Sequence, residues 1–185
     1  MAILMHPDLQ SLLDIVPPPE APSGLDRSWE QVEKEIGTQL PADYKEFIDR
    51  FGSGVLCKFV NVWNIRDPSI FIGDLLEVLC GEVGMMQSYQ RSRSAAQAEW
   101  PPMYPEQGGL LPFATMIDVN NVAWVTAGSP SKWDVLYWGF DDDSVIHCKG
   151  DGFVSFWLKW LTGEYSGSGI CECDEPLEFT PVSSS

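Results

Sequence analysis

Positive charge is scarce in this chain of 185 residues: 11 Lys and Arg stand against 27 Asp and Glu, for a formal net charge of −16. A surface of that sign repels phosphate backbones and anionic headgroups, which disfavours nucleic acid and membrane surfaces as partners and makes a basic protein the natural complement, with solubility alone as the other reason for such a charge. Histidine is scarcer still, with only His6 and His147. That leaves little material for imidazole acid–base or triad chemistry, so no catalytic residue is assigned and an enzyme is not expected. No run reaches the roughly 18 apolar residues that a membrane-spanning helix needs, and the N-terminus lacks the basic stretch, apolar core and cleavage site of a secretory signal. A soluble, cytoplasmic protein is the expectation. Cysteine is limited to Cys57, Cys80, Cys148, Cys171 and Cys173, an odd and scattered set unlike the even framework of a secreted disulfide scaffold. Reduced thiols follow. Cys171-x-Cys173 stands without the second ligand pair of a structural zinc site, and no metal or cofactor is expected.

Large rings are what the chain has in quantity: eight Trp, nine Phe and five Tyr, enough to build a sizeable core or a strong interface. Residues 1–27 read as a lead-in, a short amphipathic helix over Leu9, Leu12, Leu13, Ile15 and Val16 followed by the stiff Pro17-Pro18-Pro19 connector. The domain proper begins at Ser28, where Ser28-Trp29-Glu30-Gln31 has the pattern of a helix capping box. Trp29, Val32 and Ile36 share a helical face that Gly37 can end, and Pro41 suits the first position of a second helix striped by Tyr44, Phe47, Ile48 and Phe51. Val55 to Asn64 reads as one strand or a bent pair, and helices are expected from Asp74 and over Met85 to Trp100.

After a Pro- and Gly-rich loop, Leu110–Ala114, Val122–Val125, Asp134–Trp138 and Val145–His147 read as successive strands whose short connections favour an antiparallel meander. A last helix runs from Gly152 to Leu161, burying Phe153, Phe156, Trp157 and Trp160. Residues 163–185 are a Gly-, Ser- and acid-rich tail, loosely held or packed as an edge segment. The fold class is α+β, with a central, mostly antiparallel sheet flanked by N-terminal and C-terminal helices.

The pattern from Trp29 through Val32, Glu33, Ile36, Gly37, Leu40, Pro41, Asp43, Tyr44, Phe47, Ile48 and Phe51 to Gly52-Ser53-Gly54 resembles the N-terminal signature of the SUKH superfamily. Leu111-Pro112-Phe113-Ala114 followed by Val122-Ala123-Trp124 is similar to a second landmark of that family, and Phe153-Val154-Ser155-Phe156-Trp157-Leu158 to a third. Together they span residues 28–162. The usual Gly-Asp turn is replaced here by Asp118-Val119-Asn120-Asn121. The resemblance implies that the chain binds a protein: in bacteria an immunity protein against a co-encoded polymorphic toxin, often a nuclease, and in fungi a regulatory scaffold of the Smi/Knr cell-wall type. It implies no catalytic residue. A small-ligand or enzymatic domain is the third alternative.

Loops between strands are exposed and carry binding residues, so the expected partner contacts are Asp118, Asp141, Asp142, Asp143 and Asp151. An aromatic anchor is sought among Trp63, Trp100, Trp133 and Trp138, with Trp133 the choice. The run of aspartates lacks the Gly and closing Glu of a calcium loop and reads as a solvated turn. Gly52-Ser53-Gly54 follows a helix instead of opening one, so it is a helix stop and not a phosphate cradle.

Overall fold

In the computed structural model, residues 6–73, 76, 101–116, 120–139, 144–173 and 176–182 are described. Helix α1 (Pro7–Ile15) buries Leu9 and Leu12, and α2 (Trp29–Ile36) opens on the expected capping box, with Ser28 and Gln31 each accepting the other's backbone N–H. Gly37 closes α2 in the left-handed conformation. Helix α3 (Ala42–Phe51) starts one residue after Pro41, whose extended ψ of 136° makes it the cap and not the first helical residue. The last helix, α4 (Phe153–Leu161), packs against both α1 and α3. The helices expected from Asp74 and over Met85–Trp100 lie outside the described residues, Leu76 excepted.

The strands are β1 (Gly54–Leu56), β2 (Val60–Val62), β3 (Leu110–Met116), β4 (Asn120–Val125), β5 (Asp134–Trp138), β6 (Val145–Cys148) and β7 (Phe179–Pro181). They form one seven-stranded sheet in the order β6-β5-β4-β3-β2-β1-β7, antiparallel at every pairing. The segment Val55–Asn64 is thus a pair of strands around a tight turn at residues 57–59.

Helices cover one face of the sheet, where Leu111, Phe113, Ala114, Trp124, Val135 and Tyr137 join the helical stripes in the main core. Leu110, Ala123, Leu136 and Trp138 lie in a second buried cluster with Met103. Strict alternation would put Phe113 and Ala114 on opposite sides of the sheet. A β-bulge between Pro112 and Ala114 resets the register, which is how both reach the main core.

The C-terminal segment is built into this body. Ile170 is buried, the Trp160 indole N–H donates to the Cys171 carbonyl at 2.7 Å, and β7 extends the sheet beside β1. Phe179 sits edge-on to Phe51 with ring centroids 5.0 Å apart. Gly54 permits this: a Cβ there would stand 2.3 Å from the Phe179 ring, so a side chain would expel the aromatic.

Candidate partner-binding surface

The strand register sorts the expected contact residues into two groups. Val60 pairs with Met116, Met116 with Asn120, Asn121 with Trp138, and Trp138 with Val145. The β1–β2 turn, the strand ends flanking residues 117–119 and those flanking residues 140–143 therefore share one end of the sheet. Asp118, Asp141, Asp142 and Asp143 themselves lie outside the described residues.

Trp133 and Asp151 belong to the opposite end, where the Val135 N–H donates to the Asp151 carbonyl at 3.0 Å. Both are inside: Trp133 is 4% and Asp151 7% exposed. Trp133 packs against Trp124 with centroids 6.0 Å apart and donates its indole N–H to the Gly128 carbonyl. The Asp151 carboxylate is held by Lys159 Nζ on one oxygen and the Tyr165 hydroxyl on the other, each at 2.6 Å. The hydrogen bond to Asp151 raises Lys159 above the usual ammonium value, and burial followed by the same carboxylate raises the Tyr165 phenol. A loop aspartate that reads as solvent-facing in sequence is thus an internal brace, because two partners from the α4 region meet it. Of the other tryptophans, Trp63 is half-buried, Trp138 fully buried, and Trp100 outside the described residues.

This end carries a cleft of about 400 Å³, lined among others by Asp8, Asp43, Trp133, Asp151, Ser155 and Lys159. Asp43 acts there as a remote cap, its Oδ2 accepting the Val154 N–H of α4 at 3.0 Å, which satisfies one of the donors a helix start leaves free. The hydroxyls are also engaged, Ser155 donating to the Gly152 carbonyl and Ser131 bonding with Ser129. His147 lies on β6, paired with Asp134 at 3.1 Å. Among the described residues, no group of three or more metal-ligating side chains gathers. What the cleft offers a ligand is mostly carboxylate, with Lys159 already bound to one of them.

A polar knot fastens the chain entering α2 to the loop after β2. Arg27 donates from Nη2 to the Asp67 carbonyl at 2.5 Å and to the Ile70 carbonyl. Arg66 returns the contact, reaching the Arg27 carbonyl at 2.6 Å, the Leu25 carbonyl at 2.7 Å and Asp49 Oδ1 at 2.6 Å, while lying over the Trp29 ring. Ser53 donates to Asp67 Oδ2 at 2.6 Å, so the middle residue of Gly52-Ser53-Gly54 does more than stop a helix.

Burial disfavours the Asp67 charge, but hydrogen bonds from Ser53 and Ser69 and the nearby Arg27 outweigh it and hold the carboxyl below its ordinary value. A depressed folded-state value means stability that is fully present above the ordinary one and is lost as pH falls through the folded one. Asp67→Asn is therefore expected to lower the urea midpoint at neutral pH and to flatten its fall between about pH 5 and pH 2. Wild-type and variant midpoints running parallel over that window would contradict this account of the knot.

Sequence reasoning missed Asp43, Tyr165 and Lys159 as one connected end of the molecule, and also Phe71. In Ile70-Phe71-Ile72 the larger ring is 70% exposed while Ile72 is buried. The alternation of the run was the available signal.

The fold and its surface define an α+β domain with an antiparallel sheet and helices packed on one face. Residues 26–156 match the SUKH_6 family model, described as SMI1-KNR4 cell-wall. That span is well over half of the chain, and the protein belongs to this family. No curated protein and no solved structure matches it significantly. No helix among the described residues is long and apolar enough to cross a membrane.

Proposed function

We propose that the chain is an immunity-type protein that binds and neutralises a basic, co-encoded polymorphic toxin through its acidic surface. One observation carries this reading: the strand ends flanking Asp118 and those flanking Asp141, Asp142 and Asp143 meet at the same end of the sheet, in a chain whose net charge is −16. A surface with a large excess of carboxylates steers a basic partner into encounter and sets its orientation. Family membership supports a protein partner. The family description, SMI1-KNR4 cell-wall, supports the second reading, a regulatory scaffold without a toxin.

Capture of partners from the native cell, repeated with Asp118, Asp141, Asp142 and Asp143 changed together to Asn, separates the two. The immunity reading expects one dominant basic protein, an affinity that falls about 10- to 100-fold in the variant, and a steep loss of association rate with salt. Recovery of signalling or cell-wall proteins, or equal binding of a basic toxin by wild type and variant, would count against it.

A further inference from the structure

Beyond residue 156, where the match to the family ends, the chain adds β7 to the sheet. It runs antiparallel to β1, with Gly54 opposite Pro181, Val55 opposite Thr180 and Leu56 opposite Phe179. The Cys57 N–H donates to the Glu178 carbonyl at 2.8 Å, and the Val182 N–H to the Ser53 carbonyl at 2.9 Å. Lifting this strand away turns β1 into an open edge, whose N–H and C=O groups are a template for another strand. The edge also selects a side chain. Gly54 has no Cβ, and the notch this leaves is filled by the Phe179 ring, which stands edge-on to Phe51 at 5.0 Å. Thr180, Pro181 and Val182 are exposed, and the Val182 carbonyl accepts from the Ser23 hydroxyl at 3.1 Å. The segment is therefore held by one ring and a few hydrogen bonds, and a segment held so lightly opens locally at far less than the cost of global unfolding.

We propose that β1 is an exchange site, at which the β7 segment of a second copy of this chain replaces the chain's own and joins two copies into a strand-exchanged dimer. A second copy brings the identical complement, Phe179 for the notch and the same backbone groups for β1. Exchange thus loses no contact and is opposed only by the entropy of association. Pro181 limits the assembly to a pair. Bonded pairs alternate along an antiparallel ladder, and because Cys57 and Glu178 form one and Ser53 and Val182 another, Gly54 and Pro181 form a pair without hydrogen bonds. The proline nitrogen therefore faces away from β1, where it withholds a donor from any further strand. β7 fits β1 and offers a poor edge of its own, so exchange closes as a dimer and does not run on into a filament.

Two variants of the full chain separate the arm from the notch. Phe179→Ala keeps the notch and spoils the arm; Gly54→Val keeps the arm and fills the notch, since a Cβ there would stand 2.3 Å from the Phe179 ring. Fluorescently labelled Gly54→Val, titrated with Phe179→Ala, is expected to show a saturable rise in anisotropy and the mass of a 1:1 pair on sizing, whereas each variant titrated with itself stays flat. Wild-type chain used in place of Gly54→Val gives the same rise at about 10-fold higher concentration, because its arm is mostly seated at home, so the test stands even where Gly54→Val does not fold. A labelled peptide of residues 176–182 binds Phe179→Ala about 10-fold more tightly than wild type for the same reason, and the peptide with Ala for Phe does not bind. Flat titrations with both arm donors, or a rise that persists when Phe179→Ala is present in both chains, would overturn the proposal. So would peptide binding without pairing of chains, which would reserve the edge for a strand of some other protein.

Discussion

Phe153→Ala is expected to destabilise the domain by about 3–5 kcal/mol in urea unfolding, the range for removing a fully buried aromatic ring. Phe153 is the first residue of α4 and completely buried. Its ring meets Tyr44 at 5.1 Å and Phe47 at 5.2 Å on α3, Phe113 at 5.1 Å and Trp124 at 6.2 Å on the sheet, and Trp157 at 6.3 Å on its own helix. Most of these contacts are edge-to-face, the arrangement that ring quadrupoles prefer. Truncation opens a void bounded by rings on rigid elements, which have little room to collapse, so the cost belongs toward the upper end. Against a total stability of about 5–15 kcal/mol, the variant sits near the threshold of folding. Leu177→Ala, at a position 40% exposed, is the control and is expected within about 0.5 kcal/mol of wild type. A loss below about 2 kcal/mol for Phe153→Ala would show that the aromatic cluster repacks and is not the rigid centre described above.

The second large effect is expected from Gly24→Ala, with a loss of about 2–4 kcal/mol. Gly24 has φ of +72°, and a Cβ built on it would stand 2.3 Å from Ser53 Oγ, 2.6 Å from Asp67 Oδ2 and 2.9 Å from Asn64 Nδ2. These three atoms are bonded to one another, Ser53 to Asp67 at 2.6 Å and Asn64 to Ser53 at 3.0 Å, while Asn64 also donates to the Gly24 carbonyl at 2.9 Å. A methyl group there must therefore break the knot, beyond paying the ordinary cost of a left-handed alanine. Gly128→Ala separates the two costs. Its φ is +78° and nothing lies within 4 Å of the added carbon, so it should lose only about 1–2 kcal/mol. Equal losses for the two variants in the same denaturant titration would mean that the knot yields freely and contributes nothing.

The helices were legible because their signals are local. Trp29, Val32 and Ile36 fall on one face at helical spacing, Ser28 and Gln31 are close enough to cap each other, and Phe153, Phe156, Trp157 and Trp160 form a stripe whichever way the rest of the chain runs. The four strands from Leu110 to Cys148 were legible through their rings and β-branched residues. β7 was not, since Phe179-Thr180-Pro181 is too short to show a period and contains a proline, a residue tolerated at a sheet edge. The 3₁₀ turn at Pro130–Lys132 was not expected either. As for the expected contacts, nothing in a window around Asp151 or Trp133 distinguishes an exposed loop residue from a braced one. The partners Lys159 and Tyr165, and the ring of Trp124, come from other elements.

The amino-acid sequence by itself determined the charge of −16, the α+β class, the helix stripes with their caps, and the family signature, because each depends on residue counts or on neighbours a few positions apart. Only the tertiary structure decided that Asp43 caps a helix 111 positions away, that Arg27 and Arg66 lock the entering chain, and that the strand ends around residues 117–119 and 140–143 face the same way. Those are matters of strand register and of contact between distant segments, and register is set by the whole core closing at once: a shift of a single residue would turn every side chain of a strand to the other face.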